Sequence, residues 1–373
     1  MTSFTHTLSD EFNPLATECI TTAAALGKSI GGANSTSKRD STRKATRDRP
    51  NSRMACYIIL LSLFLGTGCS SITSSGGTIP TWTKAVQVTT PANNSNAISM
   101  YGVSCPSSSF CVSVDASGSA HFWKGGKWSK PQSLGVGGSL TSVSCPTIQF
   151  CAATSAGGSA TIYNGHSWSP ATSIGTPGTY EVSCATATFC AAIGISGSLS
   201  VPTTVETFDG HSWTTIQSSS TGTLDDRLMD VSCSTPTQCL AVNLNGHVLS
   251  FNGTKWSTTQ NAIVKGLISI SCPNSSFCLA VTASGEYVTF DGQFWSTPKV
   301  IPGLQAGFAR SVSCSSTREC SVVSLSGLAT TWQQSHWSTP ATIFHRDLAS
   351  VAISCATSNQ CMAVNNLGQA SYS

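Results

Sequence analysis

The chain has 373 residues, of which only 9% are charged, and a formal net charge of +3. With so few ion-pairing groups, solubility must come from the abundant Ser, Thr and Gly, a profile that suits an exported all-β protein. From Cys69 onward eleven basic residues face eleven acidic ones; this leaves no overall basic excess to recruit phosphates, and nucleic acid is not an expected partner.

Residues 1–68 hold the whole positive balance. Seven basic residues lie between Lys38 and Arg53, then an eleven-residue apolar run, Ala55 to Leu65, then Gly66, Thr67, Gly68 and Cys69. That order of basic, apolar and small residues is the pattern of a secretory leader. The run falls short of the ~20 apolar residues that a membrane-crossing helix needs. The segment "LGTGCSS" resembles a bacterial lipobox, whose cysteine is acylated and becomes the new N-terminus. Gly66 stands where that pattern usually has Leu, with Leu65 one place earlier. The resemblance implies lipidation at Cys69 and anchoring to the outer face of a bacterial cell membrane; without it, the leader implies a secreted protein. Residues 69–80, rich in Ser, Gly and Thr, read as a flexible tether.

The rest of the chain, 81–373, is a repeat. Fourteen of the seventeen cysteines form seven C-x5-C pairs: Cys105 and Cys111, Cys145 and Cys151, Cys184 and Cys190, Cys233 and Cys239, Cys272 and Cys278, Cys314 and Cys320, Cys355 and Cys361. Successive pairs are 39 to 49 residues apart, and a glycine stands seven residues after every second cysteine, from Gly118 to Gly368. A tryptophan follows ten residues later in five repeats: Trp128, Trp168, Trp256, Trp295 and Trp337. In the third repeat an insertion over 198–203 delays it to Trp213.

Each unit parses into four short strands, as in "LISISC", "FCLAVTA", "EYVTF" and "FWSTPKV" of the fifth. Asn164-Gly165, Asp209-Gly210, Asn252-Gly253 and Asp291-Gly292 give the hairpin between the third and fourth strands. Seven four-stranded units of about 40 residues predict a seven-bladed β-propeller. The seventh unit ends at Ser373, before its tryptophan strand. "TWTKAVQV" at Thr81 to Val88 supplies that strand and closes the ring.

The repeats S-C-P-x3-F-C and D-G-x2-W-S are similar to those of exported seven-bladed propeller repeat proteins of bacteria over residues 81–373. "FDGHSW" and "FDGQFW" also resemble the Asp-box turn of sialidase-like propellers, without its Ser-x-Asp part. The resemblance implies fold and export and carries no catalytic residues with it.

Cysteines six apart can bind metal, cycle redox state or bridge. With no histidine recurring beside them, one disulfide per blade is expected, and no metal site. The tryptophans, one per blade, are expected to pack between sheets; Trp123 and Trp332 stand outside that position. Neither a phosphate-binding loop nor a dinucleotide fingerprint is present, so no cofactor is expected. The one acidic cluster, Asp225, Asp226 and Asp230 beside Arg227, precedes the fourth blade and is the candidate binding site, because blade-connecting loops carry function. The expected activity is non-catalytic: a monomeric cell-surface binding or scaffold protein recognising a protein or polysaccharide through its loops. The alternative is a glycan hydrolase or lyase of the sialidase-like kind, for which only Arg227, Arg310, Arg318 and Arg346 could serve.

Overall fold

The computed structural model describes residues 81–89, 97–195, 203–219, 228–261, 264–304, 308–345 and 348–373. The chain divides after Gly76, and everything described lies in the second unit, Gly77–Ser373. The leader, Cys69 and the tether fall outside the described residues.

The described chain is all-β, a seven-bladed β-propeller of antiparallel sheets. Each blade begins at the centre with a long inner strand: Met100–Ser107, Leu140–Thr147, Thr179–Thr186, Leu228–Thr235, Leu267–Asn274, Ala309–Ser316 and Val351–Thr357. Each inner strand touches the next, and the seventh touches the first. Both faces of the sheets are buried because the second strands are apolar on both sides: in blade 5, Cys278 and Ala280 face blade 4 while Leu279 and Val281 face blade 6. Seven hydrophobic clusters result, one at each interface between neighbouring blades.

The Ser-Cys dipeptide that recurs in every repeat has a structural cause. The serine hydroxyl of each blade accepts a hydrogen bond from the cysteine N–H of the next, at 2.9 Å in all seven: Ser104 from Cys145, Ser144 from Cys184, Ser183 from Cys233, Ser232 from Cys272, Ser271 from Cys314, Ser313 from Cys355, and Ser354 from Cys105. The last bond closes the circle.

Each C-x5-C pair is a disulfide that links the inner strand to the second strand of its own blade, as expected from the spacing. In chain order Cys105 is bonded to Cys111, Cys145 to Cys151, Cys184 to Cys190, Cys233 to Cys239, Cys272 to Cys278, Cys314 to Cys320 and Cys355 to Cys361. The second cysteines, Cys111, Cys151, Cys190, Cys239, Cys278, Cys320 and Cys361, are all buried in the interfaces between blades. The bridges lie beside the short loop at one end of the ring, here called the disulfide face. The Asn-Gly and Asp-Gly hairpins share that face.

At the opposite end lie the glycine turns and the connections between blades. Six of the seven repeat glycines have left-handed φ of 67° to 83°; Gly197 lies outside the described residues. The residue four after the second cysteine caps this turn: the side chains of Asp115, Ser155, Asn243, Thr282, Ser324 and Asn365 each accept the N–H four residues on.

The outer strands divide by proline. In blades 1, 2, 5 and 6, Pro131, Pro170, Pro298 and Pro340 follow the tryptophan, and only fragments of ladder form, since proline has no N–H to donate. The serine after the tryptophan repairs the gap: Ser129, Ser169, Ser296 and Ser338 each accept an N–H of the third strand at 3.0 Å. Blades 3 and 4 lack the proline, and their outer strands run unbroken over Trp213–Ser219 and Trp256–Asn261. Blade 7 takes its outer strand from the N-terminal end, Val86–Gln87 pairing with Ala370 and Gln369. Thr83 extends the pairing to Tyr372.

Candidate functional site

The third residue of an inner strand lies near the end of the ring that carries the blade connections. Three places before the first cysteine, the seven blades present Gly102, Ser142, Glu181, Asp230, Ser269, Ser311 and Ala352. Five of these are small. Blades 3 and 4 alone place carboxylates there, side by side on adjoining inner strands.

Of the predicted acidic cluster, Asp230 belongs to the inner strand Leu228–Thr235 and is half-buried there, so it is not a residue of the loop as expected from sequence. The pairing pattern of the strand claims it. One carboxylate oxygen accepts its own neighbour's N–H, from Val231 at 2.7 Å; the other accepts Ser269 Oγ at 2.8 Å and Ile270 N–H at 2.9 Å from blade 5. Asp225, Asp226 and Arg227 lie outside the described residues, as do Arg346 and most of the insertion 198–203.

Glu181, which sequence reasoning missed, lies on blade 3 beside Asp230, and the hydroxyl of Ser142 in blade 2 accepts the N–H of the next residue, Val182, at 3.3 Å. Arg310, on the inner strand of blade 6, supplies the compensating positive field. Burial, and then the neighbouring Asp230 carboxylate, push Glu181 up to about 8, against the pull of Arg310 and Ser142. Burial raises Asp230 to about 6, against the hydrogen bonds from Ile270, Ser269 and Val231 and the charge of Arg310. At neutral pH the two carboxyls therefore retain a proton between them, and they titrate as a pair. Chemically this is a proton-holding, anionic wall with one guanidinium across from it, suited to holding a polar or cationic group.

The other singled-out residues have structural roles. Trp256 and Trp295 are buried, and each packs on an aromatic ring of its own third strand, Phe251 and Phe290, with centroids 5.3 and 5.2 Å apart. Trp332 is buried and stacks on Phe277 of the preceding blade at 5.4 Å, and Trp123 packs on Tyr372 of blade 7 at 5.8 Å. Both join neighbouring blades. His166 and His211 are exposed turn residues whose N–H groups bond to Asn164 and Asp209. His121 differs. It is buried in blade 1 and bonds Asp115 at 2.7 Å. Burial tends to raise Asp115, but hydrogen bonds from His121, Ser117 and Ser119 outweigh it and hold the carboxyl below its ordinary value. Arg310 lies near one end of the strand Ala309–Ser316 and Arg318 in the turn beyond its other end, so these two cannot meet in one pocket.

No family model and no curated protein matches the sequence. Solved structures do resemble its fold. YCF48 bound to D1 peptide is 14% identical over 79% of this chain and 98% of that one, with a TM-score of 0.58. The WD40 β-propeller domain of Doa1 is 11% identical over 78% and 97%, with a TM-score of 0.62, and streptogramin B lyase is 7% identical over 78% and 97%, with a TM-score of 0.61. A binding protein and a lyase share this likeness, so it establishes the propeller and leaves function to the site.

Proposed function

We propose that this protein is exported, lipid-anchored at Cys69 and non-catalytic, a monomeric binding or scaffold propeller that holds a segment of a protein or polysaccharide at the face carrying the blade connections. The observation that carries the reading is the replacement of small residues by Glu181 and Asp230 at the inner strands of blades 3 and 4, opposite Arg310. Both oxygens of Asp230 are committed to the wall of the ring, which suits a fixed recognition surface better than the free nucleophile or base of a glycosidase. The similar fold of YCF48, which is bound to D1 peptide, supports a peptide segment as the occupant.

Two measurements test it. Intact-mass analysis of the membrane-extracted protein should find an acylated N-terminus at Cys69 and fourteen thiols released on reduction. Photo-crosslinking groups placed at Thr176, beside the blade connections, and at Thr237, on the disulfide face, should capture an envelope component from the first position only. Crosslinking from Thr237 alone, or glycan turnover that Glu181→Gln abolishes, would overturn the reading, the second outcome in favour of a hydrolase or lyase.

A further inference from the structure

The even balance of charge from Cys69 onward conceals a segregation around the ring. Residues 81–180 and 348–373, which build blades 7, 1 and 2, contain Lys84, Lys124, Lys127, Lys130 and one acid, Asp115. Asp115 is fully buried against His121. The surface of this sector therefore carries four lysines and no side-chain carboxylate. Residues 181–347 hold ten acids against seven bases.

The four lysines are also gathered in space. Lys124 and Lys127 flank the Gly125–Gly126 turn on the disulfide face and are paired directly across the hairpin. Like charges so placed cost stability; Lys124 is partly compensated by the rings of Phe110 and Phe122, whose centroids lie 5.6 and 5.4 Å from its Nζ. Lys130 stands two residues after Trp128, and Lys84 two after Trp82, the same place on adjacent blades; no other repeat has a lysine there. The hairpin and the N-terminal strand adjoin, because Trp123 packs on Tyr372, whose N–H donates to Thr83 Oγ1 at 3.1 Å. All four lysines are exposed.

We propose that this lysine corner docks on anionic phospholipid headgroups of the leaflet that holds the lipid anchor. The inference rests on the anchoring at Cys69 proposed above. The occupant follows from where the chain enters the ring. Thr81 and Trp82 lie at this corner, and the twelve residues from Cys69 to Thr81 reach at most about 40 Å when extended. An anchor at Cys69 thus keeps this corner, where the described chain begins, within about 40 Å of the bilayer. Each lysine near an anionic surface strengthens binding by roughly fivefold.

The test uses the anchored protein in vesicles of phosphatidylcholine alone, or of phosphatidylcholine with phosphatidylglycerol. Brief treatment with an amine-acetylating reagent is followed by peptide mass spectrometry. Lys84, Lys124, Lys127 and Lys130 should label several-fold more slowly on the anionic vesicles, an effect that high salt removes, while Lys255, Lys265 and Lys299 label equally on both. Equal labelling of the corner in both vesicles refutes the proposal. Protection by soluble polyglutamate but not by phosphatidylglycerol also refutes it, and assigns the corner to an acidic polypeptide. The mass of the N-terminal peptide is read in the same samples. If Cys69 carries no acyl chain, the anchoring reading fails by itself, and sedimentation of the unanchored chain with anionic vesicles, compared with a variant in which all four lysines are Gln, decides the corner separately.

Discussion

Replacing Glu181 by Gln should stabilise the protein in mild alkali and leave it unchanged in acid. Burial and Asp230 raise the Glu181 carboxyl from an ordinary 4.5 to about 8, so the folded chain holds its proton more tightly than the unfolded chain does. For a raised acid the sign is fixed: the stability is fully present below about pH 4.5 and is lost as pH rises through about 8. Each tenfold in proton affinity corresponds to about 1.4 kcal/mol, which sets a ceiling of about 5 kcal/mol. Because the proton is shared with Asp230 and Arg310 offsets the charge, roughly 2 kcal/mol is the expected penalty at pH 8.5. Gln keeps the shape and carries no charge. In a propeller of this size about 2 kcal/mol should appear as a rise in Tm of roughly 3 °C. Melts of wild type and Glu181→Gln at pH 4.5 and 8.5 measure it. The same shift at both pH values, or a lower Tm for the variant at pH 8.5, would refute the placement of Glu181 beside Asp230.

Three further outcomes follow from the ring. Ser232→Ala leaves the Cys272 N–H without its acceptor and should cost about 1–2 kcal/mol in urea unfolding; no loss would mean that the closed circle of Ser-Cys bonds is not a source of stability. Replacing Cys272 and Cys278 together by Ser opens one short loop and should cost about 2 kcal/mol, with twelve thiols released on reduction instead of fourteen. Gly158→Ala and Gly137→Ala both place a side chain at left-handed φ, but the new methyl at 158 would meet the backbone oxygens of Gly175 and Thr176, while that at 137 meets open space. The first should be the more destabilising by at least about 1 kcal/mol; equal midpoints in urea would contradict the close approach.

The fold was legible because it is written seven times. Cysteine, glycine and tryptophan recur where a strand must be bridged, a turn must go left-handed or two sheets must meet, and the N-terminal strand filled the one vacancy in the seventh repeat. The serine before each cysteine recurs as faithfully, yet its reason is a bond to the next blade, which no single repeat can reveal. The site was harder. Asp230 reads from sequence as part of an acidic loop with Asp225 and Asp226, whereas it pairs with Val242 in a strand and its carboxylate is bound by Ser269 and Ile270 of another blade. Glu181 has no acidic neighbour in the chain and became visible only when the seven residues three places before each cysteine were compared. The lysine corner was hidden by a balanced total.

The departures from the repeat are not spread evenly. Blades 3 and 4 together hold the two carboxylates, the unbroken outer strands without proline, the insertion over 198–203 and the longest interval between cysteine pairs, 49 residues from Cys184 to Cys233. An outer strand with no proline exposes an unpaired backbone edge, which can accept a further strand from a partner. Blades 7 and 1 hold the lysines. In a ring of seven these two pairs lie nearly opposite each other, so the side proposed to meet an anionic surface and the side proposed for recognition are kept apart by the geometry of the ring. Repetition makes the wall, and the residues that break it gather in two places on the ring, the one proposed for membrane contact and the other for recognition.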